Sequence, residues 1–295
     1  MQKFSICALS LSSIASTVSA ADMFAPATGS EIPAPAYVNE MATPVGIGGF
    51  AGYVEGSFNK GTTDIFDLDN QSWALRGSAN YDAGNGLNIQ GDIDYRRTDV
   101  EDFDFKQLSG TGHVYLRPTQ DYAVGVFGQL SRIGPDLFDN TGVTNLNSDV
   151  TDKMAGIEAA WFNEIGTAYG QLGYGQASWT GDDADHLMGR LGYRYFMADN
   201  VRIDVEGALH RLSYADLDLD LRTFKAVANY RPDIIPASLF VGYRYDEWEP
   251  SVSGISIGKE KNHSILAGLR YHFGSASLKD EERSGPIWST TSLLP

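Results

Sequence analysis

The segment His263–Phe273 reads His-Ser-Ile-Leu-Ala-Gly-Leu-Arg-Tyr-His-Phe, and its two-residue period constrains the fold more than any other feature. Ile265, Ala267, Leu269, Tyr271 and Phe273 share one face of an extended chain, whereas Ser264, Gly268, Arg270 and His272 share the other with Leu266. An apolar face ending in two aromatics, set against a face that carries arginine, excludes a strand buried on both sides. It fits a strand with lipid on one face and a wet interior on the other.

The alternation starts at Gly46 and recurs along the chain. Phe50, Val54 and Phe58 alternate with Tyr53, Glu55 and Asn59, and Trp73, Leu75, Ala79 and Tyr81 with Arg76, Ser78 and Asn80. Leu87, Ile89, Ile93 and Tyr95 oppose Asn88, Gln90, Asp92, Asp94 and Arg96. Further runs at 107–117, 121–132, 153–163, 167–178, 186–197, 200–212, 221–231, 237–246 and 263–273 bring the total to about twelve strands of ~10 residues. Their connections alternate between short and long. Short turns fall at 83–86, 117–120, 163–166, 198–200 and 231–233, and long ones at 60–71, 97–106, 133–151, 179–185, 213–220 and 247–262. A soluble sandwich has no reason to keep this parity. It predicts an all-β, antiparallel, up-and-down transmembrane barrel with both termini on the short-turn side. The aromatics agree, since Tyr81, Trp161, Tyr195, Tyr230 and Phe273 fall at one set of strand ends and Trp73, Tyr95, Tyr174 and Tyr245 at the other. In Gly192-Tyr-Arg-Tyr195, Gly242-Tyr-Arg-Tyr245 and Gly268-Leu-Arg-Tyr271, glycine shares the inward face with arginine, and we expect it to make room for the arginine.

Mean hydropathy is only −0.23, which argues against helical spans and not against barrel strands. Residues 1–20 read as a cleaved signal peptide: Lys3, an apolar stretch from Phe4 to Ala15, then Val18-Ser19-Ala20. Cys7, the one cysteine, lies within it. Residues 21–45, with four prolines, read as a periplasmic leader, 46–273 as the barrel, and 274–295 as a polar periplasmic tail. With 38 acids against 22 bases, the exported chain is not expected to bind nucleic acid.

The closing strand, alternating and ending in Phe273, resembles the last strand of Gram-negative outer-membrane β-barrels. The resemblance implies an outer-membrane location among lipid and lipopolysaccharide. It also implies that Tyr271 and Phe273 belong to a signal read by the barrel-assembly machinery. The tail from Gly274 is a departure from members that stop at the terminal Phe.

Parity places Arg76, Asp92, Asp94, Arg96, Glu158, Arg190, Arg194, Arg202, Asp204, Glu206, Lys225, Arg244 and Arg270 on the inward face, with Glu55, His113, His210 and His272. A porin-like channel for small hydrophilic solutes is the leading expectation, its wall field sorting them by charge. The alternative is a non-conducting structural or surface-interaction barrel whose ions satisfy each other. The long loop 133–150 is a candidate constriction, with Asp136 and Asp139 facing the basic wall. Acids in the outer connections (Asp64, Asp67, Asp69; Asp99, Glu101, Asp102, Asp104; Asp182, Asp183, Asp185; Asp216, Asp218, Asp220) lack the ligand order of a calcium loop and are expected to be solvated, so no metal or cofactor is expected. A hydrolase ranks third. His263 and Ser264 point to opposite faces, and Asp182, Asp183, Asp185 and His186 supply the residue types of an acid–histidine site without a motif, so no enzyme activity is expected.

Overall fold

The structure, a computed structural model, describes residues 49–290 and 293, apart from 65–68, 101–102, 136–148 and 180. The signal segment 1–20, the leader 21–45 and the loop acids Asp136 and Asp139 lie outside those residues. The alternating runs form β1 (Phe50–Thr63), β2 (Asp69–Gly84), β3 (Leu87–Val100), β4 (Phe103–Leu116), β5 (Tyr122–Pro135), β6 (Val150–Phe162), β7 (Gly166–Trp179), β8 (Asp182–Ala198), β9 (Val201–Tyr214), β10 (Leu217–Tyr230), β11 (Ala237–Val252), β12 (Ile255–Ser256) and β13 (Glu260–Phe273). A short helix, α1 (Leu278–Ser284), follows.

Each long strand pairs antiparallel with its chain neighbours, and β1 pairs with β13 from Gly52↔Phe273 to Thr63↔Asn262. β12 adds two residues to the side of β11. The result is a closed barrel of twelve strands in which β13 is the closing strand, as its pattern implies. Closure gives the strands' backbone polar groups partners within the sheet, the condition for standing in hydrocarbon.

Side-chain parity follows the sequence. Val54, Leu75, Ile93, Leu108, Val126, Ile157, Leu172, Leu191, Val241 and Leu269 project outward and are exposed. Their inward neighbours, among them Glu55, Asp94, Ser109, Glu158, Gln171 and Arg190, are buried. The aromatics take their expected ends, with Trp73 against Tyr95 (5.2 Å between ring centroids) at one and Phe50 stacked on Phe273 (5.6 Å) at the other.

Two expectations are corrected. The twelve barrel strands run 13–17 residues, and most of the long outer connections are strand. Ladders persist to Val100↔Phe103, Trp179↔Asp182 and Tyr214↔Leu217, so only two residues separate the paired strands. Beyond the hydrocarbon a strand needs no apolar face. Cross-strand ion pairs hold it instead: Arg211 donates two hydrogen bonds to Asp220 at 2.6 and 2.7 Å, and Arg97 pairs with Asp99 and Asp104. The second correction is the segment after Phe273. It does not trail from the barrel as a polar tail; it turns back into the lumen.

Candidate functional site

The turn is made at Gly274, whose φ of +75° suits glycine and where a Cβ would strike the Phe50 carbonyl. Ser277 caps α1, its Oγ accepting from Asp280 N at 3.0 Å, and the Leu278 side chain is fully buried. The short turns of the barrel grip the helix from outside. Asn200 Oδ1 accepts from Leu278 N at 3.2 Å, the Arg117 guanidinium donates to the Arg283 carbonyl, and Arg283 donates to Asn163 O.

Past Gly285 the chain runs extended up the lumen. Gln90 receives it: Gln90 Oε1 accepts from Ile287 N at 3.0 Å, and Gln90 Nε2 donates to Trp288 O at 2.9 Å. Arg190 donates to Ser289 O at 2.6 Å, and Thr290 Oγ1 lies 3.1 Å from Thr111 Oγ1. Ile287 and Trp288 pack with Tyr115, Ala123, Ala160, Phe162 and Tyr169 in an apolar cluster, Trp288 edge-on to Tyr115. Beyond the segment, the wall's own side chains fill the lumen, with Gln107, Ser131, Asp246 and Asn262 all buried.

Charge is arranged just as closely. Glu282 takes two hydrogen bonds from Arg194 at 2.6 and 2.7 Å and lies 3.5 Å from Arg202. Glu281 binds His272 and lies 3.6 Å from Arg270. Between the segment and the wall remains a cavity of about 140 Å³. Its wall cations are Arg76, Arg96, Arg190, Arg194, Arg202, Lys225, Arg244 and Arg270; its wall acids are Glu55, Asp204 and Glu206, and Glu281 and Glu282 come from the segment. On the opposite side His113 bridges Asp92 (2.8 Å) and Glu158 (2.9 Å), so those two acids face a histidine rather than the cavity.

The inward residues expected from parity therefore all face the interior, most of them in ion pairs. What sequence reasoning missed is the segment that meets them. Its signals were Ser277-x-x-Asp280 ahead of Glu281-Glu282, and the apolar pair Ile287-Trp288 after Gly285-Pro286. The role given to the repeated glycines also changes. A Cβ at Gly192 would collide with the Tyr169 ring, and one at Gly268 with Phe240. At these two positions glycine makes room for an aromatic ring, and the ring in turn supports an arginine: Arg194 lies 4.5 Å above Tyr169 and Arg270 5.9 Å above Phe240, whereas a Cβ at Gly242 would meet Val227 and the Ala226 carbonyl.

The candidate hydrolytic residues do not converge. His186 points inward to Asp152 (2.8 Å) and His210 (3.0 Å), while Asp182 and Asp185 accept from the hydroxyls of Tyr214 and Tyr174 at the rim. His263 lies outside with Tyr243, and Ser264 inside with Arg244 O.

No family model and no curated protein sequence matches this chain. Solved structures similar to it include OmpT of Vibrio cholerae, at 12% identity and a TM-score of 0.42, covering 76% of this chain and 97% of that one. The beta domain of the Bordetella autotransporter BrkA is similar at 15% identity and a TM-score of 0.48, covering 76% and 99%. The KdgM porin is similar at 10% identity and a TM-score of 0.40, covering 74% and 99%. The assignment rests on the barrel itself. A closed antiparallel sheet with an apolar, aromatic-edged exterior and a charged interior is the architecture of the outer membrane. This chain is a twelve-stranded β-barrel of the outer-membrane type.

Proposed function

We propose that this barrel is an outer-membrane channel for small anionic solutes, shut at rest by its own C-terminal segment. One observation carries the reading: the segment fills the lumen mainly through polar and ionic contacts with wall cations. Withdrawn, it would leave around the cavity eight cations against three wall acids, with Asp94 and Asp246 paired to two of the eight, a field that still favours anions. Gly274 attaches the segment at the end where both termini of the barrel lie, which faces the periplasm in this orientation. The reading includes no catalytic step.

The test is a planar-bilayer comparison of the full chain with one ending at Gly274. The full chain should show rare, brief openings. The shortened chain should conduct steadily, with a reversal potential displaced towards anions. A shortened chain that migrates as a folded barrel on a gel yet passes no current would put the non-conducting structural barrel in its place.

A further inference from the structure

Arg194 is the outlier among the wall cations. Asp204 stands directly opposite it in the β8–β9 register, yet Asp204 turns to Arg202, 2.7 Å from its Nε. Among the described residues, the one carboxylate within ion-pair distance of Arg194 is Glu282, from the C-terminal segment. Its other guanidinium nitrogen donates to Ile287 O at 2.7 Å, also in the segment, and the Tyr169 ring fixes its plane. Arg270 approaches Glu281, the adjacent residue of the segment, at 3.6 Å. The barrel thus builds a buried guanidinium whose Nη1 donates to both oxygens of one carboxylate, a second cation within ion-pair distance of the adjacent carboxylate, and a cavity bordering both. Among the described residues, the wall places no acid of its own within ion-pair distance of Arg194.

We infer that Arg194, with Arg202 and Arg270, forms a binding site for small dicarboxylates, which the Glu281–Glu282 pair occupies by mimicry in the shut state. A solute carrying two carboxylates takes the place of the two glutamates and displaces the segment by competition. The ligand would then open the channel that admits it. The opening role depends on the channel reading above; the carboxylate site does not.

The experiment uses the full chain carrying Cys7→Ser and Thr290→Cys, folded in lipid vesicles, with thiol labelling reporting withdrawal of the segment. Thr290 is buried against Thr111, so its replacement should react slowly while the segment is seated. Succinate is the probe, compared with its neutral dimethyl ester and with chloride at equal ionic strength. Succinate should speed labelling several-fold and the controls should not. Glu282→Gln should label faster unaided and respond at lower succinate concentrations. Arg194→Gln should label fast and ignore succinate. The site is overturned if chloride at equal ionic strength matches succinate, or if Glu282→Gln neither labels faster nor responds more sensitively. Succinate-driven labelling without any current leaves the site standing and sinks the channel reading. Current through Glu282→Gln, with labelling blind to succinate, does the opposite.

Discussion

Two stretches of wall handle their charge in different ways. Across β3, β2, β1 and β13, Asp94, Arg76, Glu55 and Arg270 stand in one row, opposite one another in register and alternating in sign. Two cations meet two acids, with Arg76 3.1 Å from Asp94 and Arg270 Nε 2.9 Å from Glu55. Across β8, β9 and β10, Arg190, Arg194, Arg202 and Lys225 have two acids between them. Arg190 and Lys225 share Glu206, and Arg202 takes Asp204. The first wall is neutral by itself; the second carries four cations against two acids, and Glu282 supplies a third. Sheet register can balance a lumen where each cation has its own acid on the next strand. Where it does not, a third element must enter, and the segment enters on that side.

Trp288→Ala breaks the comparison most sharply, because it removes the segment's apolar anchor and leaves both walls intact. Truncating a fully buried Trp removes about 3–5 kcal/mol of packing, all of it from docking of the segment. Trypsin cleavage at Lys279 and Arg283 should follow the undocked population and rise roughly a hundred- to a few-thousand-fold. The heat-dependent gel shift of the barrel should stay as in the wild type. Loss of that shift along with docking would mean that the barrel needs its segment to stand, and that the second wall is structural.

Leu269→Arg presses on the other side of the same strand as Arg270. Leu269 faces outward at mid-strand, opposite Gly56. An arginine there should destabilise the barrel by about 2–4 kcal/mol if it lies near the bilayer midplane. Urea unfolding from lipid vesicles measures that loss. Trypsin access to the segment, read under folding conditions, should not change. A silent Leu269→Arg would show that β13 does not meet hydrocarbon at this depth.

The difference between the walls is also the difference between what was legible in the sequence and what was not. Strand parity is a local property, so Arg76, Glu55, Asp94 and Arg270 could be assigned to the interior from their immediate neighbours. Their pairing then follows from antiparallel register. The partner of Arg194 is 88 residues away in a segment with no strand period, and nothing local joins them. Charge drew attention away from the segment: Lys279 to Arg283 reads as part of a polar tail until Ile287 and Trp288 are weighed with it. The outer ends of the strands were misread for a related reason. Apolar alternation fades where hydrocarbon ends, although pairing does not, so the run Asp216 to Asp220 looked like a loop while Leu217 to Asp220 were strand.

The smallest expected effect tests whether α1 is itself part of the latch. Ser277 holds the helix by accepting from Asp280 N, and Asp280 Oδ2 answers by accepting from Ala276 N at 2.7 Å. With seven residues the helix has little cooperativity of its own, so its caps weigh heavily on whether it forms before docking. Ser277→Ala removes one hydrogen bond at an exposed position and should weaken docking by about 1 kcal/mol. That corresponds to roughly a fivefold rise in trypsin cleavage at Lys279. Ser277→Asp retains an acceptor at the cap and should return cleavage close to the wild-type rate. A fivefold effect rescued by aspartate makes helix formation part of closing the lumen. No effect from Ser277→Ala would assign the hold to residues 286–290 alone, with Glu281 and Glu282 reaching their arginines from a segment whose helix is incidental.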